Sequence, residues 1–326
     1  MRTPLTDHAG IAVPLICGAM YPCSNPELVG AVSAAGGIGI IQPVSLTFVH
    51  GYDFREGVRL TQKLAQGKPV GFNALIEESS AYYRERMRKW IDIALEEGIR
   101  FFITSLGKPR WVVDRVSQVG GVVYHDVTER KWADKGKDAG VHGLIAVNDR
   151  AGGHAGPRSA AELLDELRPL GLPVVCAGGI GTPDEFRRAL QMGYAGAQLG
   201  TRFIATPECS AHPDYKQAIV TSTAQNIVHT ERLTGVPVAV INNAYVRHLG
   251  TRAGPIARWM LRHRKMKHWM RTIYAVRSLY RLKKDLYKGR DAEEYWQAGK
   301  SVDGIHGVEP AGEIVRKFAE ALSRAT

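Results

Sequence analysis

The chain has 326 residues, 44% of them hydrophobic and only four of them cysteine, so it can bury a large core and is neither disordered nor held by a disulfide framework. Its 43 Lys and Arg residues exceed its 32 Asp and Glu residues, giving a formal charge of +11. Residues 251–290 hold 13 of the basic residues and one of the acidic ones, so the rest of the chain, with 30 basic and 31 acidic residues, is nearly neutral. No known nucleic-acid-binding motif accompanies this basic segment, and we expect no nucleic-acid partner.

The cysteines at positions 17, 23, 176 and 209 show neither Cys-x-x-Cys pairing nor a zinc-ligand spacing. We therefore expect no metal site and a reducing, cytoplasmic location. The N-terminus has no basic region before its first apolar stretch, which Pro14 interrupts, so it does not resemble a signal peptide. No run of ~18 apolar residues predicts a membrane span. These patterns leave the oligomeric state open.

Short apolar runs alternate with longer amphipathic stretches between residues 14 and 205, which is the rhythm of βα units. The predicted strands are residues 15–17, 38–41, 70–72, 101–103, 122–124, 143–147, 174–176 and 196–199. Eight such units in this length, with continuously apolar strands, favour an α/β fold of the compact (β/α)8 TIM barrel type. A doubly wound sheet is the alternative, but its G-x-G-x-x-G fingerprint is absent.

Two helices are predicted with their ends. Residues 80–97 carry apolar side chains at helical spacing and stop at Gly98. A second helix over residues 182–192 begins with Thr182 and Glu185 spaced as a capping box.

The repeat stops after residue 205, where we expect a proline-containing loop, then the basic segment, then a final helix near residues 312–322. We predict a barrel domain of residues 1–210 and 295–326 and a basic, mostly helical lid or substrate subdomain of residues 211–294. The basic face of this lid is solvated, or attracts a phosphorylated partner such as NADPH, coenzyme A or an acyl carrier protein, or docks on a membrane surface.

Active sites of such barrels form where the strands end. The residues at the predicted strand ends are small or hydrogen-bonding, as a planar polar cofactor across the barrel mouth requires. They are Gly18, Ala19, Met20, Gln42, Asn73, Ser105, His125, Asp126, Asn148, Ala177, Gly178, Gly179, Gly200 and Thr201.

The ends of the seventh and eighth strands predict a phosphate site. Gly178 and Gly179 lie in a glycine-rich loop that leads into the capped helix, and Thr201 offers a hydroxyl after Gly200. Barrel enzymes commonly hold a phosphate between these two loops, on backbone N–H groups that glycine leaves accessible. The alternative is that these glycines only mark turns.

A histidine loop follows the sixth strand. His154 lies between Gly153 and Ala155 with little bulk around it, and an imidazole that titrates near neutrality suits proton exchange with a carbon acid. A hydrogen-bonding surface histidine is the alternative. His125 beside Asp126 is a second candidate, either as a dyad or as a structural hydrogen bond.

Several motifs together resemble the nitronate monooxygenase family, formerly called 2-nitropropane dioxygenases. They are Cys17-Gly18-Ala19-Met20, Gly71-Phe72-Asn73, Ala151-Gly152-Gly153-His154-Ala155-Gly156, Ala177-Gly178-Gly179-Ile180 and the run from Leu199 to Cys209, with Tyr295 to Ser301 near the end. The resemblance runs in order through nearly the whole chain and implies a metal-free (β/α)8 barrel that binds FMN.

The resemblance also implies roles for individual residues. Gly18, Ala19 and Met20 would line the flavin ring, Asn73 would hydrogen-bond it, and the phosphate would lie on Gly178, Gly179, Gly200 and Thr201, with Gly152 and Ala177 in the same cofactor site. His154 would face the flavin as catalytic base or proton donor. The implied reaction oxidises an anionic alkyl nitronate, such as propionate-3-nitronate, with molecular oxygen to a carbonyl product and nitrite.

Related flavin enzymes offer an alternative. Enoyl-acyl-carrier-protein reductases, NADH:quinone reductases and reductases of coenzyme A thioesters share the Gly-Gly-His-x-Gly motif, and this reading makes NAD(P)H a partner. The chain departs from the nitronate pattern in having Arg150 where an acid is usual, Asp126 where some members carry a flavin-contacting lysine, and Lys300 where glutamine is common.

Overall fold

Eight parallel strands pair in chain order, and the eighth pairs with the first to close a barrel. The computed structural model describes residues 1–77, 80–254, 277–284, 286–287 and 295–323. The strands are β1 (Leu15–Cys17), β2 (Ile38–Ile41), β3 (Val70–Leu75), β4 (Phe101–Ser105), β5 (Val122–Val127), β6 (Gly143–Val147), β7 (Val174–Ala177) and β8 (Gly196–Leu199). The predicted barrel is confirmed, and β3, β4 and β5 extend two or three residues beyond their predicted ends.

Helices cover the outside of the barrel and extend beyond it. They are α1 (Pro4–Ala9), α2 (Pro26–Ala34), α3 (Phe54–Leu64), α4 (Ala81–Glu96), α5 (Arg110–Ser117), α6 (Arg130–Asp138), α7 (Ala160–Leu167), α8 (Pro183–Met192), α9 (Thr201–Ile204), α10 (Pro213–Thr221), α11 (Ala244–Leu249) and α12 (Ala311–Ser323). Within the described ranges, no helix is both long and apolar enough to span a membrane.

The predicted helix signals act as expected. The Ser80 side chain accepts a hydrogen bond from the Tyr83 N–H at the start of α4. At α8, Thr182 and Glu185 form the capping box, and Gly193 ends the helix in the left-handed conformation. The final helix was expected at residues 312–322 and is observed as α12.

Side chains inside the barrel form their own hydrophobic cluster. Ile16, Ile103, Tyr124, Ile145 and Val175 belong to it, whereas alternate residues of the same strands pack outward against the helices. Because side chains alternate along a strand, the residue two positions after each of these interior residues also points into the barrel. Toward the open end of the barrel, the apolar interior therefore gives way to polar inward residues, which include Asn73, Ser105, Asp126 and Gln198.

The prediction of a loop after residue 205 is in part wrong. This region contains α10, an antiparallel hairpin of β9 (Ile227–Thr230) and β10 (Val238–Ile241), and α11. Pro213 occupies the first turn of α10, where its missing N–H costs no helical hydrogen bond, so it marks a helix start.

The described part of the basic segment lies across loops at the barrel mouth. Residues 277–284 are helical, the Tyr21 hydroxyl after β1 donates to the Leu279 carbonyl at 2.6 Å, and Lys283 Nζ donates to the Phe48 carbonyl after β2 at 2.6 Å. The rest of the predicted lid helices, residues 255–276, 285 and 288–294, lies outside the described residues. The proposed division at residues 211–294 stays a prediction.

Gly39 tests how closely the barrel and its helices pack. A Cβ at this position would lie 2.2 Å from the Val29 carbonyl oxygen of α2. We expect Gly39→Ala to lower the free energy of unfolding by about 1–3 kcal/mol, because backbone must shift to admit the methyl group. Urea denaturation measures the free energy of unfolding of the wild type and the variant. Gly307→Ala is the control, since a Cβ there meets nothing within 4 Å; equal losses in both variants would contradict this packing.

Candidate active site

The seam between β1 and β8 brings together residues that were predicted to line the flavin ring. The Gly18 N–H donates to the Leu199 carbonyl at 3.0 Å, and a Cβ on Gly18 would lie 2.9 Å from the Gln198 side chain. A Cβ on Gly200 would lie 3.3 Å from Met20 Sδ. The first and last strand ends thus form one continuous surface at the mouth.

The loops after β6 and β7 interlock through two glycines. Gly178 has φ +117° and a Cβ on it would lie 2.3 Å from Asn148 Oδ1, while Gly179 has φ +77° and a Cβ on it would lie 2.7 Å from Arg150 Nε. Asn148 Nδ2 donates to the Gly178 carbonyl at 3.0 Å. Both glycines are therefore required by backbone conformation and by close packing.

The start of α8 is closed by its own glutamate. Glu185 Oε2 accepts the N–H groups of Gly181 at 2.8 Å and Thr182 at 3.0 Å, so these two donors are already satisfied. The start of α9 has no side-chain cap. Thr201 Oγ1 accepts from the Gly299 N–H at 2.9 Å and keeps its own proton to donate. The phosphate site at Gly178–Gly179 and the Gly200–Thr201 turn stays a prediction, and the N–H groups of Gly181 and Thr182 do not add donors to it.

Arg150, which the family resemblance marked only as a departure, lies beside this turn. Its side chain covers Gly179, and its Nη2 donates to the Lys300 carbonyl at 3.1 Å and lies 3.4 Å from Asp303 Oδ2. The Lys300 N–H in turn donates to the Arg150 carbonyl at 2.9 Å. A cation thus flanks the candidate phosphate site, which a sequence pattern could not reveal because the contact joins residues far apart in the chain.

Two polar atoms at the mouth are buried without a hydrogen-bond partner within the described structure. They are Gln198 Oε1 and Asp126 Oδ1. Buried polar atoms are normally hydrogen-bonded, so these acceptors favour a ligand that carries donors. Together with the glycine-lined turns, they fit the flavin that the family resemblance implies. Asn73 is buried at the same end of β3.

Asp126 and His125 face opposite sides of β5. Ser105 Oγ donates to Asp126 Oδ2 at 2.6 Å, and burial raises the pKa of Asp126 to about 6. His125 lies between β5 and the outer helices, with its Nδ1 2.9 Å from Thr104 Oγ1, and burial lowers its pKa to about 4. The possible dyad is therefore not formed, and His125 has a structural hydrogen bond.

His154 stands on the loop after β6, held by the hairpin. Gly153 has φ +68°, and its carbonyl accepts from the Ala239 N–H of β10 at 2.8 Å. Thr234 Oγ1, from the hairpin turn, lies 3.5 Å from His154 Nε2. The ring is open to solvent, yet the protein atoms around it desolvate the charged form and lower its pKa below 6.5. His154 is therefore mainly neutral at pH 7.

The hairpin is the site element that the sequence analysis missed. Two β-prone runs, residues 227–230 and 238–241, flank a turn that contains Gly235 and Pro237, which is a recognisable hairpin signal.

No group of three or more His, Cys, Asp or Glu side chains in the described part of the chain could hold a metal ion.

Comparison with known proteins agrees with this arrangement. The family model for nitronate monooxygenase matches residues 2–320. A (3aS,4S,5R,7aS)-5-hydroxy-7a-methyl-1-oxo-octahydro-1H-indene-4-carboxyl-CoA dehydrogenase of Rhodococcus jostii is 28% identical over 261 residues, 79% of this chain and 71% of that protein. A probable nitronate monooxygenase of Staphylococcus saprophyticus is 26% identical over 298 residues, 76% of this chain and 81% of that protein.

Among solved structures, FabK from Thermotoga maritima is 26% identical, with a TM-score of 0.77 over 100% of this chain and 97% of that one. The likeness thus covers the barrel and the elements that follow it. With the match of the family model over nearly its whole length, the chain belongs to the nitronate monooxygenase family of oxidoreductases.

Proposed function

We propose that this protein is an FMN-dependent oxidoreductase in which His154 exchanges a proton with the substrate. The observation that carries the proposal is the position of His154. It is fixed by the hairpin and belongs to the same loop system as the glycines that form the candidate phosphate site. The four cysteines, all free and buried, support a reducing compartment, for which we propose the cytoplasm.

The residues that would hold FMN follow from the site. Gly178, Gly179, Gly200 and Thr201 would hold the phosphate, and Arg150 would add a positive charge beside it. Gly18, Ala19, Met20 and Asn73 would contact the ring, with Gly152 and Ala177 completing its surroundings. When bound, FMN supplies a two-electron acceptor and donor.

The protein's own contribution is proton transfer and positioning. His154, neutral at pH 7, suits the abstraction of a proton from a carbon acid, such as the nitroalkane that gives the nitronate, through Nδ1. The Thr234 hydroxyl donates to the Val236 carbonyl at 2.9 Å, so it can only accept from His154 Nε2, 3.5 Å away, and this contact orients the ring. The loop holding it is pinned by β10, so the imidazole keeps its place at the mouth.

For the substrate, we propose an alkyl nitronate of the propionate-3-nitronate type, oxidised with O2 to a carbonyl product and nitrite. The family match supports it, and a small anion suits a mouth flanked by basic residues. A second candidate is a coenzyme A thioester, with NAD(P)H as electron donor or acceptor. The Rhodococcus relative, whose name includes carboxyl-CoA, favours it, as does the concentration of positive charge in residues 251–290.

The cofactor site is tested by Gly179→Ala. We expect FMN binding to the apoprotein to weaken at least ~10-fold, because the new methyl group meets Arg150 and strains a left-handed backbone. Flavin fluorescence during titration gives the dissociation constant. Gly171→Ala is matched, since Gly171 has φ +70° with open space around it. Unchanged FMN affinity in Gly179→Ala would place the phosphate elsewhere.

His154→Ala tests the catalytic role. With the nitroalkane form of the substrate, whose carbon-bound proton must be removed, we expect turnover to fall ~10²–10⁴-fold with FMN retained, because general acid–base catalysis contributes that range. In the wild type, kcat/KM should fall as the pH drops through the lowered pKa of His154, below 6.5, since protonation removes the base. Steady-state assays across pH measure both effects. His229→Ala, at an exposed position of β9, is the control. A variant that keeps full activity would exclude His154 as the acid–base group.

Anaerobic mixing separates the two substrate candidates. If the nitronate reaction is correct, propionate-3-nitronate bleaches the flavin absorbance rapidly, whereas NADH and NADPH do not. Stopped-flow absorbance records the rates. Rapid bleaching by a pyridine nucleotide, without a response to the nitronate, would select the thioester candidate.

A further inference from the structure

Three arginines gather around a pair of tyrosines next to the hairpin. The Arg281 guanidinium carbon lies 5.2 Å from the centre of the Tyr295 ring, and its Nη2 donates to the Tyr245 hydroxyl at 2.7 Å. Burial raises the pKa of Tyr295 to about 12, and the charges of Arg281, Arg232 and Arg277 oppose that rise. The charges of Arg232 and Arg277 thus act on the same hydroxyl as the charge of Arg281.

Arg232 carries an unused donor. Its Nε is buried and has no hydrogen-bond partner within the part of the chain that the structure describes. In the neighbouring residue, Glu231 Oε2 accepts from the Ala253 N–H at 3.4 Å. A buried guanidinium N–H without an acceptor is costly, so this donor is best explained by an acceptor that a ligand provides.

Arg232 lies near the His154 contact of the hairpin. Thr234, which contacts His154, is two residues from Arg232. Leu233 packs with Tyr295 in a small apolar cluster that also contacts Tyr21, and Tyr21 directly follows Met20 of the candidate flavin site. The cluster therefore adjoins both the imidazole and the ring side of the proposed cofactor site.

We propose that Arg232, Arg277 and Arg281 form a subsite for the oxyanion end of the substrate, a carboxylate or a phosphate, while the reacting carbon lies at His154. Guanidinium groups bind both kinds of oxyanion through paired, charge-assisted hydrogen bonds, and Arg232 Nε is a donor placed for one of them. Tyr245 and Tyr295 fix Arg281 and exclude water around the charge. The inference rests on the proposed function for the reacting end, whereas oxyanion binding is measurable without turnover.

Pairs of ligands with and without the oxyanion test the subsite and identify its source. For a carboxylate, anaerobic flavin reduction by propionate-3-nitronate is compared with reduction by propyl-1-nitronate, which lacks the carboxyl group. For a phosphate, calorimetry on the FMN-loaded protein compares coenzyme A with pantetheine, which lacks phosphates. The pair in which the member with the carboxylate or phosphate binds more tightly to the wild type identifies the oxyanion.

Arg232→Gln should weaken binding of the member that carries the carboxylate or phosphate at least ~10-fold and change that of the member without it less than ~2-fold, because the loss of one charge-assisted pair costs about this much. The limiting rate of flavin reduction should stay nearly constant, since the reacting end is untouched. Arg232→Lys, which keeps the charge, should restore part of the affinity. Arg247→Gln removes an exposed charge from α11 and should leave both members unchanged.

Three results would overturn the subsite: equal loss for both members of a pair, loss in Arg247→Gln as large as in Arg232→Gln, or no effect of Arg232→Gln in either pair. Thermal unfolding of each variant separates a local effect from a folding defect, and Arg232→Lys keeps the test valid if the glutamine variant is unstable. Coenzyme A binding that depends on Arg232, without flavin reduction by any substrate, would support the subsite and contradict the proposed reaction. Normal flavin reduction that is insensitive to Arg232→Gln would support the proposed reaction and contradict the subsite.

Discussion

A set of backbone hydrogen bonds joins the barrel to the chain that follows it, and the candidate site depends on them. The Ala239 N–H of β10 donates to the Gly153 carbonyl, the Ile241 N–H donates to the Trp296 carbonyl, and the Gly299 N–H donates to Thr201 Oγ1. Through these bonds the histidine loop, the hairpin and the phosphate turn keep fixed positions relative to one another. The Gly153 and Trp296 acceptors are backbone carbonyls, which carry little sequence information, whereas the third acceptor requires the Thr201 hydroxyl.

The barrel determines which residues can meet at all. Strand alternation fills the interior with Ile16, Ile103, Tyr124 and their neighbours, and it turns polar side chains inward only near the open end. Asp126 and Gln198 each keep an unpaired buried acceptor there, a cost that folding alone does not explain. The mouth is therefore built for a polar ligand, whereas the opposite end is closed by α1, where the Tyr124 hydroxyl lies 3.1 Å from His8 Nδ1.

Much of this architecture is readable from the sequence because its signals are local. Continuous apolar runs mark the strands, and the Thr182 capping box marks the start of α8, as the structure confirms. The hairpin was missed because prolines at positions 213 and 237 suggested a loop. The sequence could not decide between a dyad and a structural hydrogen bond for His125, because His125 and Asp126 are neighbours in sequence but face opposite sides of β5. Arg150 over Gly179 and Arg232 near Thr234 depend on contacts between distant segments, which spacing along the chain does not encode.

Part of the excess positive charge of the chain lies at the barrel mouth. The described helical residues 277–284 lie over the loops after β1 and β2, and Arg281 contacts Tyr245 and Tyr295 beside the hairpin. The proposed site and reaction require a flavin in the barrel mouth. One measurement tests this requirement directly: the absorption spectrum of the purified protein, with the mass of the chromophore released on denaturation. The expected result is a flavin spectrum with one FMN released per chain. A protein that carries no flavin and binds none when FMN is added would contradict the proposed site.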